Sequence, residues 1–226
     1  MSVHYNQELE ALKQRLLTMA SHAEAAVSRA VRAVVDRDDD LARQVKLDDN
    51  ILDQAEMDMD ELAVSLLAKA PLATELRLII VAMKISHDLE RVGDEAVKMA
   101  KRALELNREP RLDHRPELDE MSSLGLRMLK DALDAFVQRD TALARALIAR
   151  DKRVNALNRQ LHEEVSKLMV QQPSTIACYL KLLVVSKSLE RIADHATNIA
   201  EEVVYLYEGQ DIRHTAKDPA GDAVSV

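Results

Sequence analysis

The stretch LERVGDEAVKMA at residues 89–100 returns one hundred residues later as LERIADHATNIA at residues 189–200. Six of the twelve positions are identical. In both copies apolar residues recur every three or four positions, which is typical of a helix with one face in the core. A repeat of this length is domain-sized, so the chain is predicted to consist of two related halves that each contain this helix.

Two further helices precede the repeated helix in each half. In the first half, apolar residues recur at helical spacing over residues 9–33 and again over residues 52–66. Pro71 and Pro173 follow the second helix of their respective halves. Because the residue before a proline avoids the helical conformation, each proline is predicted to end that helix. Each half is therefore three helices, and the third carries the repeated motif.

The predicted fold class is all-α, with two tandem, pseudo-symmetric up-down-up three-helix bundles of long helices. Only 4 glycines and 5 prolines occur in 226 residues, which favours long helices over sheets. The predicted boundaries place the first bundle at residues 1–108 and the second at residues 117–208. Residues 109–116 hold two prolines and no periodicity, so they are predicted to be a linker, and a polar tail follows at 209–226.

Composition and charge exclude several classes of partner. Aromatic residues make up 2% of the chain and the net charge is −8, so we expect no binding to nucleic acid. The single cysteine, Cys178, rules out an internal disulfide and indicates a reducing compartment. The N-terminal residues form no apolar signal segment, and the longest uncharged run, residues 168–180, is too short to cross a bilayer. We therefore expect a cytoplasmic protein without direct membrane insertion.

The repeated helix carries a line of oxygen-bearing side chains. Glu90 and Asp94 lie four residues apart, so a helix places both on one face. The second copy extends the line to Glu190, Asp194 and Asn198. Carboxylate and amide oxygens in a row suit a hard cation or iron. Because the acids recur at the same position in both halves, metal binding is as well supported as the alternative, an ordinary solvated face.

The second helix of each half repeats the same four-residue spacing. Asp49 and Asp53 match Asp151 and Asn155 at an offset of 102 residues. If these helices lie beside the third helix of their own half, oxygen ligands converge from two helices. These four residues are the weaker metal candidates, because pairing of Asp49 and Asp151 with neighbouring Lys and Arg side chains is the simpler explanation.

Signatures of several enzyme classes are absent from the sequence. It contains no glycine-rich phosphate loop, no His-Glu-x-x-His pair and no Cys-x-x-Cys motif. No Glu has a His three residues later, which a di-iron carboxylate bundle would need. His87 and His195 are conceivable phosphate acceptors, but the other half has Lys187 and Glu95 at the matched positions. We therefore predict no enzymatic activity, with a metal-dependent hydrolase or oxidase and a phosphotransfer module as the alternatives.

The order of the motifs resembles that of a known family. Both halves close with Leu-Glu-Arg-[Val/Ile]-x-Asp-x-Ala, PSTI precedes the second copy at residues 173–176, and GQDIRHT follows it at residues 209–215. These motifs are similar to those of PhoU, the family of regulatory proteins of bacterial phosphate-specific transport systems. The resemblance spans essentially the whole chain.

The resemblance implies a cytoplasmic, non-enzymatic and often dimeric regulator. Such a protein acts as an adaptor between the ATPase subunit of the phosphate ABC transporter and the phosphate sensor histidine kinase. It keeps the phosphate-starvation (Pho) response off and restrains phosphate uptake when phosphate is plentiful. The resemblance also implies iron, zinc or manganese ions on Glu90, Asp94, Glu190, Asp194 and Asn198, and no organic cofactor. The alternative function is a metal-binding helical bundle with a hydrolase, oxidase or metal-homeostasis role.

One departure from the family pattern concerns the first half. Lys98 stands where the second copy has Asn198. An ammonium group on this line would oppose a cation, or would itself neutralise Glu90 and Asp94. We therefore predict that the metal site of the second half is the stronger one.

Overall fold

The computed structural model describes residues 3–69, 72–113 and 115–213 of the chain. These residues form long α-helices and no strand, as the sequence predicts. The helices are α1 Val3–Val35, α2 Asp39–Leu67, α3 Ala73–Leu106, α4 Pro116–Gln138, α5 Thr141–Gln171 and α6 Ile176–Glu208. None of the helices in the described ranges combines the length and the apolar character of a membrane span.

The two halves begin their second helix in the same way. Asp38 caps α2 through its Oδ1 atom, which accepts hydrogen bonds from the backbone N–H of Asp40 at 2.9 Å and of Leu41 at 3.0 Å. Asp140 caps α5 by accepting from the backbone N–H of Leu143 at 2.9 Å. The residue before each cap, Arg37 or Arg139, has a φ of 58°. The duplication is therefore visible in the backbone of the turns as well as in the motif.

The prolines lie where helices end or begin. α5 ends at Gln171, and Pro173 opens a single turn of 3-10 helix before α6 starts. Pro116, predicted to belong to the linker, is instead the first residue of α4. A proline is well suited to this position, because the first helical residue needs no N–H donor and the proline ring fixes a helical φ. Pro71, predicted to end the second helix, lies outside the described residues.

Each half is a three-helix bundle in which all three helices contact one another. The halves meet mainly through α3 and α6, with a smaller contact between α1 and α4, whereas α2 and α5 pack within their own half. α3 and α6 run antiparallel, because Lys84 pairs with Glu202 at 2.9 Å and Glu95 pairs with Arg191 at 3.1 Å. A pseudo-twofold axis between α3 and α6 therefore relates the two halves.

The hydrophobic core crosses the boundary between the halves. Buried side chains such as Leu12 and Met59 of the first half and Leu129 and Leu157 of the second belong to one continuous cluster. Helical periodicity predicts that each half buries an apolar face, but it does not say which helices face each other. The two bundles consequently share a core rather than forming two independent ones.

The predicted C-terminal tail begins with an ordered turn. Gly209 ends α6 with a φ of 73°, a left-handed conformation that glycine adopts without strain. Ile212 then packs against the core, and Arg213 hydrogen-bonds to Asp211. The remainder of the predicted tail, residues 214–226, lies outside the described residues.

Candidate functional site

The second helix of each half places its acidic residues beside the third helix. In the first half, burial raises the pKa of the Asp49 carboxyl, and the neighbouring carboxylates of Asp53 and Asp94 raise it further. Asp49 and Asp53 belong to α2 and Asp94 to α3, so carboxylates from two helices lie close enough to repel one another. We call this cluster the α2–α3 site and define it as Asp49, Asp53, Glu56, His87, Glu90 and Asp94.

A histidine joins the acids in the α2–α3 site. Glu56, His87 and Glu90 can each offer one ligand atom so that all three atoms lie within 4.8 Å of one another. His87 Nδ1 lies 2.9 Å from Glu56 Oε1. Glu56 was not among the predicted ligands, although it follows Asp49 by seven residues, or two helical turns, and this spacing places it on the same face.

Arg91 lies beside the two α3 acids of the α2–α3 site, Glu90 and Asp94. It lies 3.3 Å from Glu90 Oε2 and 3.2 Å from Asp94 Oδ2. The first contact lacks the geometry of a hydrogen bond, so Glu90 Oε2 is buried without a donor from any described residue. Burial raises the pKa of Glu90, and Asp94 adds to this effect. A buried carboxylate oxygen that accepts no hydrogen bond is a suitable metal ligand.

The corresponding cluster in the second half lies between α5 and α6. Burial raises the pKa of Asp194 to about 6, with further contributions from Asp151 and Glu190. Burial and the neighbouring Glu190 also raise the pKa of Asp151, against a hydrogen bond from Asn155 Nδ2 at 2.6 Å. We call this cluster the α5–α6 site and define it as Asp151, Asn155, Asn158, Glu190 and Asp194.

Two oxygens of the α5–α6 site have no hydrogen-bond partner among the described residues. They are Asp151 Oδ1 and Asn158 Oδ1, and both are buried. Asn158 Nδ2 donates to Glu190 Oε2 at 2.9 Å, so the amide oxygen is the free end of that side chain. Asn158 is 7% exposed and was not among the predicted ligands, although it follows Asp151 by the same seven residues that separate Glu56 from Asp49.

Position 187 distinguishes the two sites. Lys187 occupies the place that His87 has in the first half, and its ammonium donates to Glu190 Oε2. The α5–α6 site thus contains a cation of its own, whereas the α2–α3 site has an imidazole at the matched position. This difference changes the chemistry of ligands available to a metal ion, because imidazole is suited to zinc and iron.

Asn198 does not lie with Glu190 and Asp194. Its Nδ2 atom donates to Asp88 Oδ1 on α3 at 3.1 Å, beside the contact of 2.8 Å between His195 Nδ1 and the same oxygen. The helix turns about 100° per residue, so a residue eight positions after Glu190 has rotated about 80° away from it. Asn198 therefore takes part in the contact between α3 and α6.

Lys98 likewise does not reach Glu90 or Asp94. Its Nζ atom donates to Glu95 Oε1 at 2.8 Å, and Glu95 is buried with 4% exposure. Lys98 therefore does not neutralise Glu90 and Asp94 as predicted, because a residue eight positions after Glu90 has rotated away from it on the helix. The expectation that the second-half site is stronger loses its basis, because the competing ammonium lies in the α5–α6 site.

The weaker metal candidates Asp49 and Asp151 are not paired with Lys or Arg side chains of the described residues, contrary to the simpler explanation. Neither Asp49 nor Asp151 forms an ion pair with a residue in the described ranges. The Arg29–Asp48 pair at 2.5 Å shows that the neighbouring aspartate takes that role on α2. Asp49 and Asp151 instead lie within the electrostatic reach of acids on the third helix of their half. The two sites therefore bring together all the predicted acids and Asn155, and leave out Asn198.

Comparison with known proteins agrees with this architecture. The PhoU domain model matches the chain twice, at residues 16–103 and 118–203. A phosphate-specific transport system accessory protein PhoU homolog from Pseudomonas aeruginosa is 40% identical over 215 residues, covering 94% of this chain and 89% of the relative. The accessory protein PhoU of Escherichia coli (strain K12) is 35% identical over 221 residues, covering 96% and 90%.

Solved structures show the same fold. The crystal structure of PhoU from P. aeruginosa superposes with a TM-score of 0.89 at 40% identity, covering 91% of this chain and 100% of that one. The phosphate transport system regulatory protein PhoU from Streptococcus pneumoniae gives a TM-score of 0.86 at 29% identity, with 92% and 99% coverage. Both halves match the PhoU domain model, and the relatives cover nearly the whole chain, so the chain belongs to the PhoU family.

Proposed function

We propose that this protein is a negative regulator of the phosphate-starvation response and of phosphate uptake. It acts without catalysis, as a cytoplasmic adaptor between the ATPase subunit of the phosphate ABC transporter and the sensor histidine kinase. The observation that carries the proposal is the match of both halves to the PhoU domain, in a chain 35% identical to the accessory protein of E. coli over 96% of its length. An adaptor of this kind needs only a difference in affinity for two states of its partners.

The surface supports protein docking at two equivalent places. Exposed apolar residues follow one face at the start of α3 and at the matched part of α6, each with at least 38% of its surface accessible. They are Leu72 just before α3, Leu76 and Ile80 on α3, and Ile176, Leu180 and Val184 on α6. Because α3 and α6 are antiparallel, the two faces lie toward opposite ends of the α3–α6 contact. One molecule therefore offers two apolar surfaces for partners or for the second copy in a homodimer.

Complementation tests the regulatory role. The chain is expressed in an E. coli strain that lacks its own PhoU, and alkaline phosphatase is measured in phosphate-rich medium. We expect the chain to restore repression, and continued high alkaline phosphatase with normal amounts of folded protein would contradict the proposal. Leu76→Asp and Ile176→Asp should each weaken repression, because a charge on an apolar docking face opposes burial. Val64→Asp places the same charge at an apolar residue of α2 that is more exposed than Leu76 or Ile176, and it is the control.

We further propose that the two acidic sites each hold one metal ion. The support is local: buried oxygens without hydrogen-bond donors, and carboxylates whose pKa is raised by burial and by one another. A bound cation would supply the positive charge that these oxygens lack and would connect the second helix of each half to the third. In the α2–α3 site the ligands would be Glu56, His87 and Glu90, with Asp94 nearby.

The ligand sets predict different metals for the two sites. Imidazole and carboxylate in the α2–α3 site are suited to zinc or iron(II). The α5–α6 site offers Asp151, Glu190, Asp194 and an amide oxygen of Asn158, an all-oxygen set that is suited to manganese(II). Lys187 would have to leave Glu190 before a cation binds there. Metal titration of purified protein, with Asp94→Ala and Asp194→Ala compared, tests the assignment: each variant should weaken binding in its own half only.

A further inference from the structure

A cavity of about 340 Å³ lies between the two halves, beneath the segment that connects α3 to α4. Its walls come from the ends of α1 and α3, the connecting segment, the start of α4 and the first half of α6. Cavities that hold small organic ligands in proteins have volumes of about 300 to 1,000 Å³. The cavity lies away from the α2–α3 and α5–α6 sites, and no residue of either site lines it.

The internal repeat explains why there is space here. Val34 lines the cavity, and the residue at the matched position of the second half, 102 residues later, is Phe136. Asn107 also lines it, and its counterpart 100 residues later is Tyr207. In the second half Phe136 is 4% exposed in the core, and the Tyr207 hydroxyl donates to the Phe136 carbonyl at 2.9 Å. The larger side chains fill the second half, and the smaller ones leave a cavity in the first.

The floor of the cavity is apolar. The partly exposed side chains of Val34, Leu112 and Leu118 form its apolar walls, above the buried Met99, Val185 and Leu189. Such a surface favours an apolar ligand over water, because water molecules there find few hydrogen-bond partners. The body of any ligand that fills this space is therefore predicted to be hydrocarbon.

The mouth of the cavity is positive, in a chain with a net charge of −8. Arg37, Arg111 and Arg115 line it, against Asp113 and Asp119. The exposed Arg111 forms no ion pair with any residue in the ranges that the structure describes. The mouth therefore favours an anionic group over a neutral or cationic one.

Two of the arginines are held in place by the fold. Arg37 Nη2 donates to three backbone carbonyls after α3, those of Leu106 at 3.0 Å, Asn107 at 2.7 Å and Glu109 at 2.6 Å. Arg115 Nη2 donates to the Tyr179 hydroxyl at 3.0 Å. Arg115 Nε, in contrast, is buried and has no acceptor among the described residues. A buried donor without an acceptor costs folding free energy, and a small movement of the Arg115 side chain toward the mouth would let a bound anion supply the missing acceptor.

We propose that this cavity binds a small amphipathic carboxylic acid. The hydrocarbon chain lies against Val34, Leu112 and Leu118, and the carboxylate lies at the mouth beside Arg111 and Arg115. The site uses contacts from both halves, so the bound acid would hold the halves and their connecting segment together. Neither the PhoU match nor the metal proposal depends on this site.

Calorimetric titration of the full chain with octanoate tests the proposal, with 1-octanol as the uncharged compound of equal chain length. We expect saturable binding of one octanoate per chain and at least tenfold weaker binding of octanol. Val34→Phe copies the second half and fills the cavity, so it should weaken octanoate binding at least tenfold. Val137→Phe adds the same ring at an exposed position of α4 outside the cavity and should leave binding unchanged. Arg111→Ala should weaken octanoate several-fold and leave octanol unaffected.

Circular dichroism and the melting temperature show whether each variant is folded. Val34→Phe should keep or raise the melting temperature, because it fills a space. If it lowers the melting temperature, Val31→Leu makes the same test, since the matched residue of the second half is Leu133. Absence of saturable octanoate binding, equal binding of octanol, or unchanged binding by a folded cavity-filling variant would each overturn the proposal. If an apolar side chain of a partner protein occupies the cavity instead, octanoate should show no saturable binding.

Discussion

Replacing Asp194 by asparagine should stabilise the metal-free protein at neutral pH. Burial and the neighbouring acids Asp151 and Glu190 raise the pKa of Asp194 from 3.8 to about 6. This difference corresponds to about 3 kcal/mol of unfavourable ionisation in the folded state. More than a third of the residue's surface is exposed, so solvent screening reduces the expected gain to about 1 to 2 kcal/mol.

The sign of the pH dependence follows from the direction of the shift. The folded protein binds the Asp194 proton more tightly than the unfolded chain does, since its pKa is raised. Below about pH 4 the carboxyl is protonated in both states and costs nothing, whereas above about pH 6 the folded state carries the full penalty. The advantage of Asp194→Asn should therefore be present at pH 7.5 and should disappear as the pH falls toward 4.

Urea denaturation with chelator present measures this difference. Asp94→Asn in the first half is the matched control, because Asp94 is paired with Arg91 at 3.2 Å and its replacement should stabilise little or not at all. If Asp194→Asn is destabilising at pH 7.5, or if its effect is the same at pH 4 and pH 7.5, the acids of the α5–α6 site do not repel one another as described. Such a result would also remove the main electrostatic support for a cation there.

Further predictions concern the metal sites and the contact of α2 with α3. His87→Lys should abolish zinc binding in the first half. Asn158→Glu combined with Lys187→His copies the first half into the second and should add one zinc equivalent in calorimetric titration. Failure of this double variant to gain zinc would contradict the ligand assignment. Gly93→Ala should change the free energy of unfolding by less than about 1 kcal/mol, because a Cβ there would lie 2.4 Å from Leu52 Cδ1, the end of a flexible side chain that can turn away, and the helix propensity gained offsets the remaining cost. The second half has Ala193 and Val154 at these two positions, so Leu52→Val should cost less in the Gly93→Ala background than in the parent chain in urea denaturation, and equal costs would refute the pairing.

The repeat and the prolines were sufficient to predict most of the architecture. Residues 89–100 and 189–200 identified α3 and α6, and Pro173 marked the end of α5 within two residues. Pro116 was placed in the linker because a proline often interrupts a helix, whereas here it begins one. The shared core could not be predicted, because periodicity shows that a face is apolar without identifying its partner.

The candidate site was predicted in part, and helix geometry explains the errors. Residues four apart on a helix are rotated by about 40° relative to each other, so two of them share a face but a third, eight residues on, no longer does. Asn198 and Lys98 consequently face the α3–α6 contact. Spacing of seven residues returns to the same face, and it would have identified Glu56 and Asn158. The cavity depends on the size difference between Val34 and Phe136, which became informative only when the structure placed Val34 at a wall.

The adaptor role is tested most directly by measuring binding of the purified chain to its two proposed partners. The ATPase subunit of the phosphate ABC transporter and the cytoplasmic part of the phosphate sensor kinase, both from the source organism, are immobilised separately and titrated with the full chain. We expect saturable binding to both partners, weakened by Leu76→Asp or Ile176→Asp and unaffected by Val64→Asp. A folded chain that binds neither partner would contradict the adaptor role.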